Sequence, residues 1–270
     1  MDKCINFSPT VSIIIPLYNA QKDILNCLNS VKRQIFNDYE IIIIDDGSTD
    51  NSVNIVKNFV EGNKDLNIHL LQQKNSGPSK ARNKGVNCAR GKYIAFLDSD
   101  DEWYEDKLST IVSILDMDDS VCLISSLYTI GEKVVFHKCC GKCEVISLKK
   151  LLFKNYFFTT GTVCRSEVMK KYSFNEDQKY SEDYRLWLDI CADKYKCVLL
   201  HKVLIKMNSK PIYGCSGLAS KMKDMLRGEY ANYKDLYIKS KISIWLVIAS
   251  CVFATLKYVR RVIIVNLRKI

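Results

Sequence analysis

Residues 92–108 read KYIAFLDSDDEWYEDKL. The first half is built for burial: Tyr93, Ile94, Ala95, Phe96 and Leu97 follow one another without a polar break. A continuous apolar run, rather than an alternating one, marks a strand covered on both faces, as in a parallel sheet. The second half then releases Asp98, Asp100, Asp101 and Glu102. Two unit charges about 4 Å apart at an effective dielectric near 20 repel by roughly 4 kcal/mol. Acids gathered at the mouth of a buried strand therefore demand a counter-charge.

Two earlier runs share this design, VSIIIP (Val11–Pro16) and EIIIIDD (Glu40–Asp46). Helical spacing lies between them. Ile24, Leu25, Leu28 and Val31 recur after the first run; Val53, Val56 and Val60 recur after the second, with Asp50 as the expected N-cap. Ser79–Ala89 fills the third gap behind Gly77-Pro78, and NIHLLQQ (Asn67–Gln73) adds a strand. The order β-α-β-α-β-α-β predicts a doubly wound, Rossmann-like α/β unit with a mostly parallel sheet. Farther on, Val121–Ile130 reads as a strand with KVVFHKC (Lys133–Cys139) as its hairpin partner across Gly131. Helices are expected over Ser147–Phe153 and from Ser181 through Leu186, Leu188 and Ile190.

The chain has 270 residues, 47% of them hydrophobic, enough for a substantial core. MDKCINFSPT carries no secretory pattern. The twelve cysteines are scattered, and Cys122, Cys191 and Cys251 sit inside apolar runs as small hydrophobes, which fits a reducing cytosol. FHKCCGKC (Phe136–Cys143) contains a single CxxC with no second pair at zinc spacing, so free thiols are expected there. Residues 221–270 hold eleven Lys/Arg against three Asp/Glu, a net of +8 out of +10 for the whole chain. The basic character belongs to this tail, which argues against a globally basic nucleic-acid-binding surface.

Ligands of open α/β sheets bind beyond the carboxyl ends of the strands. Those ends carry Pro16-Leu17-Tyr18-Asn19, Asp45-Asp46-Gly47-Ser48 and Asp98-Ser99-Asp100-Asp101. A divalent cation, Mg²⁺ or Mn²⁺, answers the acid cluster: it takes one or two carboxylates and completes its shell with phosphate oxygens and water. The chain has neither GxxxxGK[ST] nor a GxGxxG after the first strand, which disfavours P-loop and nicotinamide-binding readings.

PLYN, DDGSTD, GPSKARNKG, FLDSDD and SEDYRLW stand in that order over about residues 10–190. Together they resemble glycosyltransferase family 2, of the bacterial surface-polysaccharide type. The resemblance implies the GT-A fold: a nucleotide-sugar half over about 1–105 and an acceptor half over 106–220. It implies an inverting enzyme that moves a sugar from a nucleotide diphosphate, expected to be a UDP-hexose or UDP-N-acetylhexosamine. The implied acceptor is a saccharide on a lipid pyrophosphate, in O-antigen or capsule synthesis. Carried onto this chain, the motifs place Pro16, Tyr18 and Asn19 around the nucleobase. Asp45 or Asp46, with Asp46 preferred, reads the base edge, and Arg82 lies near the nucleotide. Asp98 and Asp100 form the DxD pair that meets the ribose and the metal. Asp183 matches the catalytic base, and Trp103 and Glu182 are the acceptor-side candidates. The usual Arg-x-His segment after the base is missing; His201-Lys202 or LIKMNSKPIYGCSG (Leu204–Gly217) stands where it would be.

Each of these residues also has a plainer reading. Asp45, Asp46 and Asp50 could be turn and cap residues, Glu182 and Asp183 could be first-turn acids that suit a helix dipole, and Tyr18 and Trp103 could be half-buried aromatics. Two other classes remain in play. A phosphoacceptor receiver-type domain also sets acids at strand ends, and a GT-A-like assembly protein of a membrane polysaccharide complex would carry the fold without catalysis.

The run Ile242–Leu256 is fifteen residues without a charge, flanked by Lys239, Lys241, Lys257, Arg260 and Arg261. A spanning helix needs about 20 apolar residues. The tail is therefore expected to form amphipathic helices, one lying in an anionic membrane surface, with a helix packed back on the domain as the alternative. The protein is expected in the cytoplasm, peripheral on the inner face of the cytoplasmic membrane.

Overall fold

The computed structural model describes residues 8–130, 133–134, 141–208 and 221–267. Four parallel strands form the first half of one sheet: β1 (Val11–Leu17), β2 (Tyr39–Asp45), β3 (Ile68–Gln72) and β4 (Tyr93–Phe96), ordered β3-β2-β1-β4. Helices α1 (Ile24–Lys32), α2 (Ser52–Gly62) and α3 (Pro78–Cys88) connect them. The continuous apolar runs follow from burial on both faces. Ile14, Ile42, Ile44, Ile94 and Phe96 belong to one core layer, while Ile13, Ile15, Ile41, Ile43, Tyr93 and Ala95 belong to the other. Asp50 stands one residue before the N-cap of α2, which is Asn51, yet its Oδ1 still accepts the Ser52 N–H at 3.0 Å.

The sheet continues through strands of both directions. β5 (Asp101–Trp103) and α4 (Lys107–Met117) lead to β6 (Val121–Ile130). Then come β7 (Lys133–Val134), β8 (Cys143–Val145), α5 (Leu148–Phe153), β9 (Val163–Arg165), α6 (Ser166–Met169) and α7 (Glu182–Ala192). β10 (Lys196–Met207) closes the set, and the second half runs β4-β9-β6-β10-β5. β9 is antiparallel to both β4 and β6, and β10 is parallel to β6. The hairpin expected after Gly131 is present as β7 against β6; residues 135–140, with His137, Cys139 and Cys140, lie outside the described residues. Cys122 and Cys191 are buried as expected, whereas Cys143 is exposed.

Helices α8 (Met222–Ile238) and α9 (Ile244–Leu267) follow, and they divide their surface sharply. Tyr233, Leu236, Ile242 and Ala254 are buried in the same core layer as Trp187. The Tyr233 hydroxyl donates to the Leu152 carbonyl at 3.1 Å, and the Phe153 and Phe253 rings meet edge-on at 5.4 Å. Three of the five basic residues expected to face lipid pair instead with acids of α8 and of the end of α7. Lys239 pairs with Asp189 and Asp235, Lys241 with Asp193, and Lys257 with Glu229. The opposite face of α9 is apolar and open: Trp245 is 76% exposed, and Ile248, Val252, Leu256, Val259 and Ile263 continue the stripe at helical spacing. No helix among the described residues is long and apolar enough to cross a membrane.

Candidate active site

The carboxyl ends of β1, β2 and β4 open into a cleft of about 600 Å³. Pro16, Tyr18, Asn19, Asp46, Arg82, Asp98 and Asp100 line it, with Asp23, Asn75 and Lys179 completing the rim. The chain leaves β1 through Asn19, held in the left-handed region at φ 48°. Its side-chain oxygen accepts the Thr49 N–H at 2.8 Å, which ties the first strand-end loop to the second. Tyr18 is half exposed, its ring open to the cleft.

At the mouth of β2 the two acids divide their work. Asp45 is buried and accepts the Ser48 N–H at 3.0 Å and the Gln72 side-chain amide at 3.1 Å. Asp46, the one that lines the cleft, accepts the Gln73 amide, the Ser76 N–H and the Gly77 N–H, each at 2.8 Å. It fixes the loop that leads into α3. Gly77 sits there at φ 90°, a conformation that costs glycine little.

At the mouth of β4 the arrangement differs. Asp98, Asp100 and Asp101 each offer a carboxylate oxygen, all within 4.8 Å of one another. Hard oxygen ligands converging in this way suit Mg²⁺ or Mn²⁺, so the donor set fits the cation expected from the sequence. Arg82 reaches in from α3. Its Nη2 donates to Asp98 Oδ1 at 2.8 Å and its Nη1 to Glu182 Oε1 at 3.4 Å. Burial disfavours the guanidinium charge, but Asp98 and Glu182 outweigh it and hold the group firmly protonated. Phe174 lies beneath it, 5.4 Å from ring centre to guanidinium carbon. Phe174 in turn packs edge-on to Phe96 at 5.3 Å and to Trp187 at 6.0 Å. The aromatic core thus fixes a cation that joins two acidic groups.

The second acidic group opens α7. Ser181 takes a left-handed conformation at φ 59°, so Glu182 and Asp183 start the helix abruptly. Gly228 of α8 packs against this bend; a Cβ there would lie 2.4 Å from the Tyr180 carbonyl. Burial, with Asp183 next to it, pushes the Glu182 carboxyl up to about 7 against the pull of Arg82. Asp183 is raised as well, by burial first; Arg82, the Tyr184 N–H at 2.6 Å and the Thr159 hydroxyl at 3.2 Å oppose that rise.

Most of the expected residues therefore meet around one cleft, with Asp183 joined to it through Glu182 and Arg82. Three expectations change. Trp103 is 3% exposed, with its indole N–H donating to the Thr160 carbonyl at 2.7 Å, so its ring has no face open to an acceptor. His201 and Lys202 lie on β10, bonded to Glu144 and Asp106, and do not line the cleft; residues 209–217 lie outside the described residues. Asp101 joins the acid cluster although the DxD pattern omits it; three acids within four residues was the available signal. Lys179 and Thr159 carry no local signature, because only the tertiary fold brings them to the site.

Residues 12–167 match the family model for glycosyl transferase family 2. Among curated relatives, an uncharacterized glycosyltransferase of Haemophilus influenzae is 32% identical over 201 residues, covering 72% of this chain and 76% of that protein. The uncharacterized glycosyltransferase YibD of Escherichia coli is 46% identical over 114 residues, 42% of this chain. The match spans 33% of the length of YibD and 30% of RC0461 of Rickettsia conorii. Of solved structures, TarS of S. aureus in complex with UDP-GlcNAc matches with a TM-score of 0.67 at 22% identity, over 84% of this chain and 66% of that one. The mannosyltransferase PcManGT of Pyrobaculum calidifontis, in complex with GDP-Man and Mn²⁺, matches at 0.70 and 18%, over 92% and 70%. The fold, the ordered motifs and the family match agree, and the chain belongs to glycosyl transferase family 2, with the GT-A fold.

Proposed function

We propose that the chain is an inverting glycosyltransferase that moves a sugar from a nucleotide diphosphate to a hydroxyl of a saccharide acceptor. The observation that carries this reading is the Arg82 bridge, 2.8 Å to Asp98 and 3.4 Å to Glu182. It joins the donor side of the cleft to the turn that carries the candidate base. Asp183 takes the proton of the acceptor hydroxyl, and that oxygen attacks the anomeric carbon from the side opposite the diphosphate. The bond from that carbon to the diphosphate oxygen breaks, and its electron pair leaves with the nucleoside diphosphate. Burial raises the affinity of Asp183 for a proton, which suits a general base. Asp98 and Asp100, with Asp101 beside them, would hold a divalent cation, whose chemistry is to offset charge on the departing diphosphate. Asp46 and Tyr18, which line the cleft, are proposed to meet the nucleobase.

The donor is proposed to be a UDP-hexose or UDP-N-acetylhexosamine, in keeping with the UDP-GlcNAc in the similar TarS structure. The acceptor is proposed to be a lipid-pyrophosphate-linked saccharide of O-antigen or capsule synthesis, a setting supported by the relative described as a putative teichuronic acid biosynthesis glycosyltransferase. A lipid-borne acceptor suits attachment to the inner face of the cytoplasmic membrane through the open stripe Trp245–Ile263 of α9. Because Lys239 and Lys241 are already paired with acids at the end of α7 and Lys257 with Glu229 of α8, apolar insertion contributes more to this attachment than anionic lipid does. The test is a screen of sugar nucleotides with a lipid-pyrophosphate saccharide, followed by linkage analysis. Transfer with inversion is expected. Asp183→Asn should lower kcat by about 10²–10⁴-fold; transfer at the wild-type rate would move the base elsewhere, with Glu182 next.

A further inference from the structure

The turn Thr159–Gly161 lies between the mouth of β4 and the start of α7, and each of its residues holds a different part of the site. Thr159 donates its hydroxyl to Asp183 Oδ2 at 3.2 Å. Thr160 Oγ1 accepts the Asp98 N–H at 3.3 Å, and its carbonyl accepts the Trp103 indole N–H at 2.7 Å. The Gly161 carbonyl accepts the ammonium of Lys107 at 3.0 Å. Lys107 is fully buried, with its ammonium 5.1 Å from the Trp103 ring, and burial pulls its pKa down to about 7. Gly161 has no room for a side chain, since a Cβ there would run into Ile205 Cδ1. The turn is therefore braced from behind by Lys107 and Trp103. Its two threonine hydroxyls face the two chemical centres.

We propose that Thr159 is a positioning residue for the base, and that the Thr159–Gly161 turn sets the Asp183 carboxylate against the Asp98–Asp100 pair. The proposal rests on the reading of Asp183 as the base. The Tyr184 N–H holds Oδ1 at 2.6 Å, so the Thr159 hydroxyl on Oδ2 fixes the rotation of the carboxylate plane. A hydroxyl donor also favours the charged, proton-accepting form. Valine would fill nearly the same buried space without that donor.

The test compares wild type, Thr159→Val, Thr159→Ser and Asp183→Asn in the full chain. The probe is whichever of UDP-glucose, UDP-galactose, UDP-N-acetylglucosamine and UDP-N-acetylgalactosamine the wild type turns over fastest, read as UDP release. Thr159→Val should lower kcat about tenfold, the rate equivalent of one lost hydrogen bond. Its KM for the sugar nucleotide should stay near wild type, and the acidic limb of its kcat–pH profile should move to higher pH. Thr159→Ser should restore both. A ¹³C carboxyl titration of Asp183, assigned with Asp183→Asn, reads the same bond without turnover and should move in the same direction. Thr159→Ala serves both readouts where Val does not fold. An unmoved acidic limb and an unmoved titration in Thr159→Val overturn the proposal, as does a loss of kcat that Ser fails to restore. Asp183→Asn at the wild-type rate instead overturns the base assignment itself, a separable result.

Discussion

The mouths of β2 and β4 present the same residue type at equivalent places in the sheet and use it differently. At β2, Asp46 receives three N–H donors at 2.8 Å, and Asp45 is held by a backbone N–H and a side-chain amide. These charges fix the chain. At β4, three carboxylates converge within 4.8 Å, and the buried Arg82 links one of them to Glu182 of α7. Acids can serve as fasteners when amides surround them, whereas acids brought together create a field that suits a cation. The sequences DDGS and DSDD look alike; the identity of the groups that close on them separates their roles.

The largest effect is expected at β4. Asp100→Ala should lower turnover by about 10³-fold, the scale seen when one electrostatic stabiliser of a developing anion is removed, and added Mn²⁺ should not restore it. Near-wild-type turnover in this variant would dissolve the contrast between the two strand mouths. A smaller effect is expected at β2. Asp46→Asn sets an NH₂ group against one of three existing donors, so it should cost about 1–3 kcal/mol of stability, read as a lower denaturation midpoint, and weaken nucleotide binding. If it abolishes metal dependence while leaving stability unchanged, the fastener assignment fails.

The smallest effect is a pH slope at Glu182. Its carboxyl titrates near 7 in the fold against an ordinary 4.5. Between those values the folded chain keeps a proton that the unfolded chain releases. The contribution of this group therefore favours the fold below about pH 4.5 and fades as pH rises through 7. Glu182→Gln removes the slope. The Tm difference, variant minus wild type, should be flat below pH 4.5 and climb up to about pH 7. A difference that falls over that window would contradict the burial argument.

The parallel half of the fold was legible because burial on both faces writes itself as unbroken apolar runs such as IIII at 41–44. β10 was not. Lys196, His201, Lys202 and Lys206 interrupt it, and their side chains pair with Asp118, Glu144, Asp106 and Glu102 from other elements, which no local window displays. The cleft acids were readable for the same reason as the strands they end. Trp103 was misleading because an aromatic beside an acid cluster looks like a ligand platform, while the indole N–H is in fact spent on a backbone carbonyl. The charge of the tail was legible in amount but not in direction: Lys239 and Lys241 pair with acids at the end of α7, Lys257 pairs with Glu229 of α8, and the open face of α9 is apolar.

The central claim is that the Asp98–Asp100 pair holds a divalent cation together with the diphosphate of the donor. The direct measurement is a Mn²⁺ titration of the full chain with and without UDP, followed by electron paramagnetic resonance, on wild type, Asp100→Ala and Asp46→Asn. Wild type should take up one Mn²⁺ far more tightly with UDP present, Asp46→Asn should retain that site at reduced UDP affinity, and Asp100→Ala should lose it. Equal Mn²⁺ uptake by wild type and Asp100→Ala, or full sugar transfer by wild type in thoroughly chelated buffer, would contradict the account.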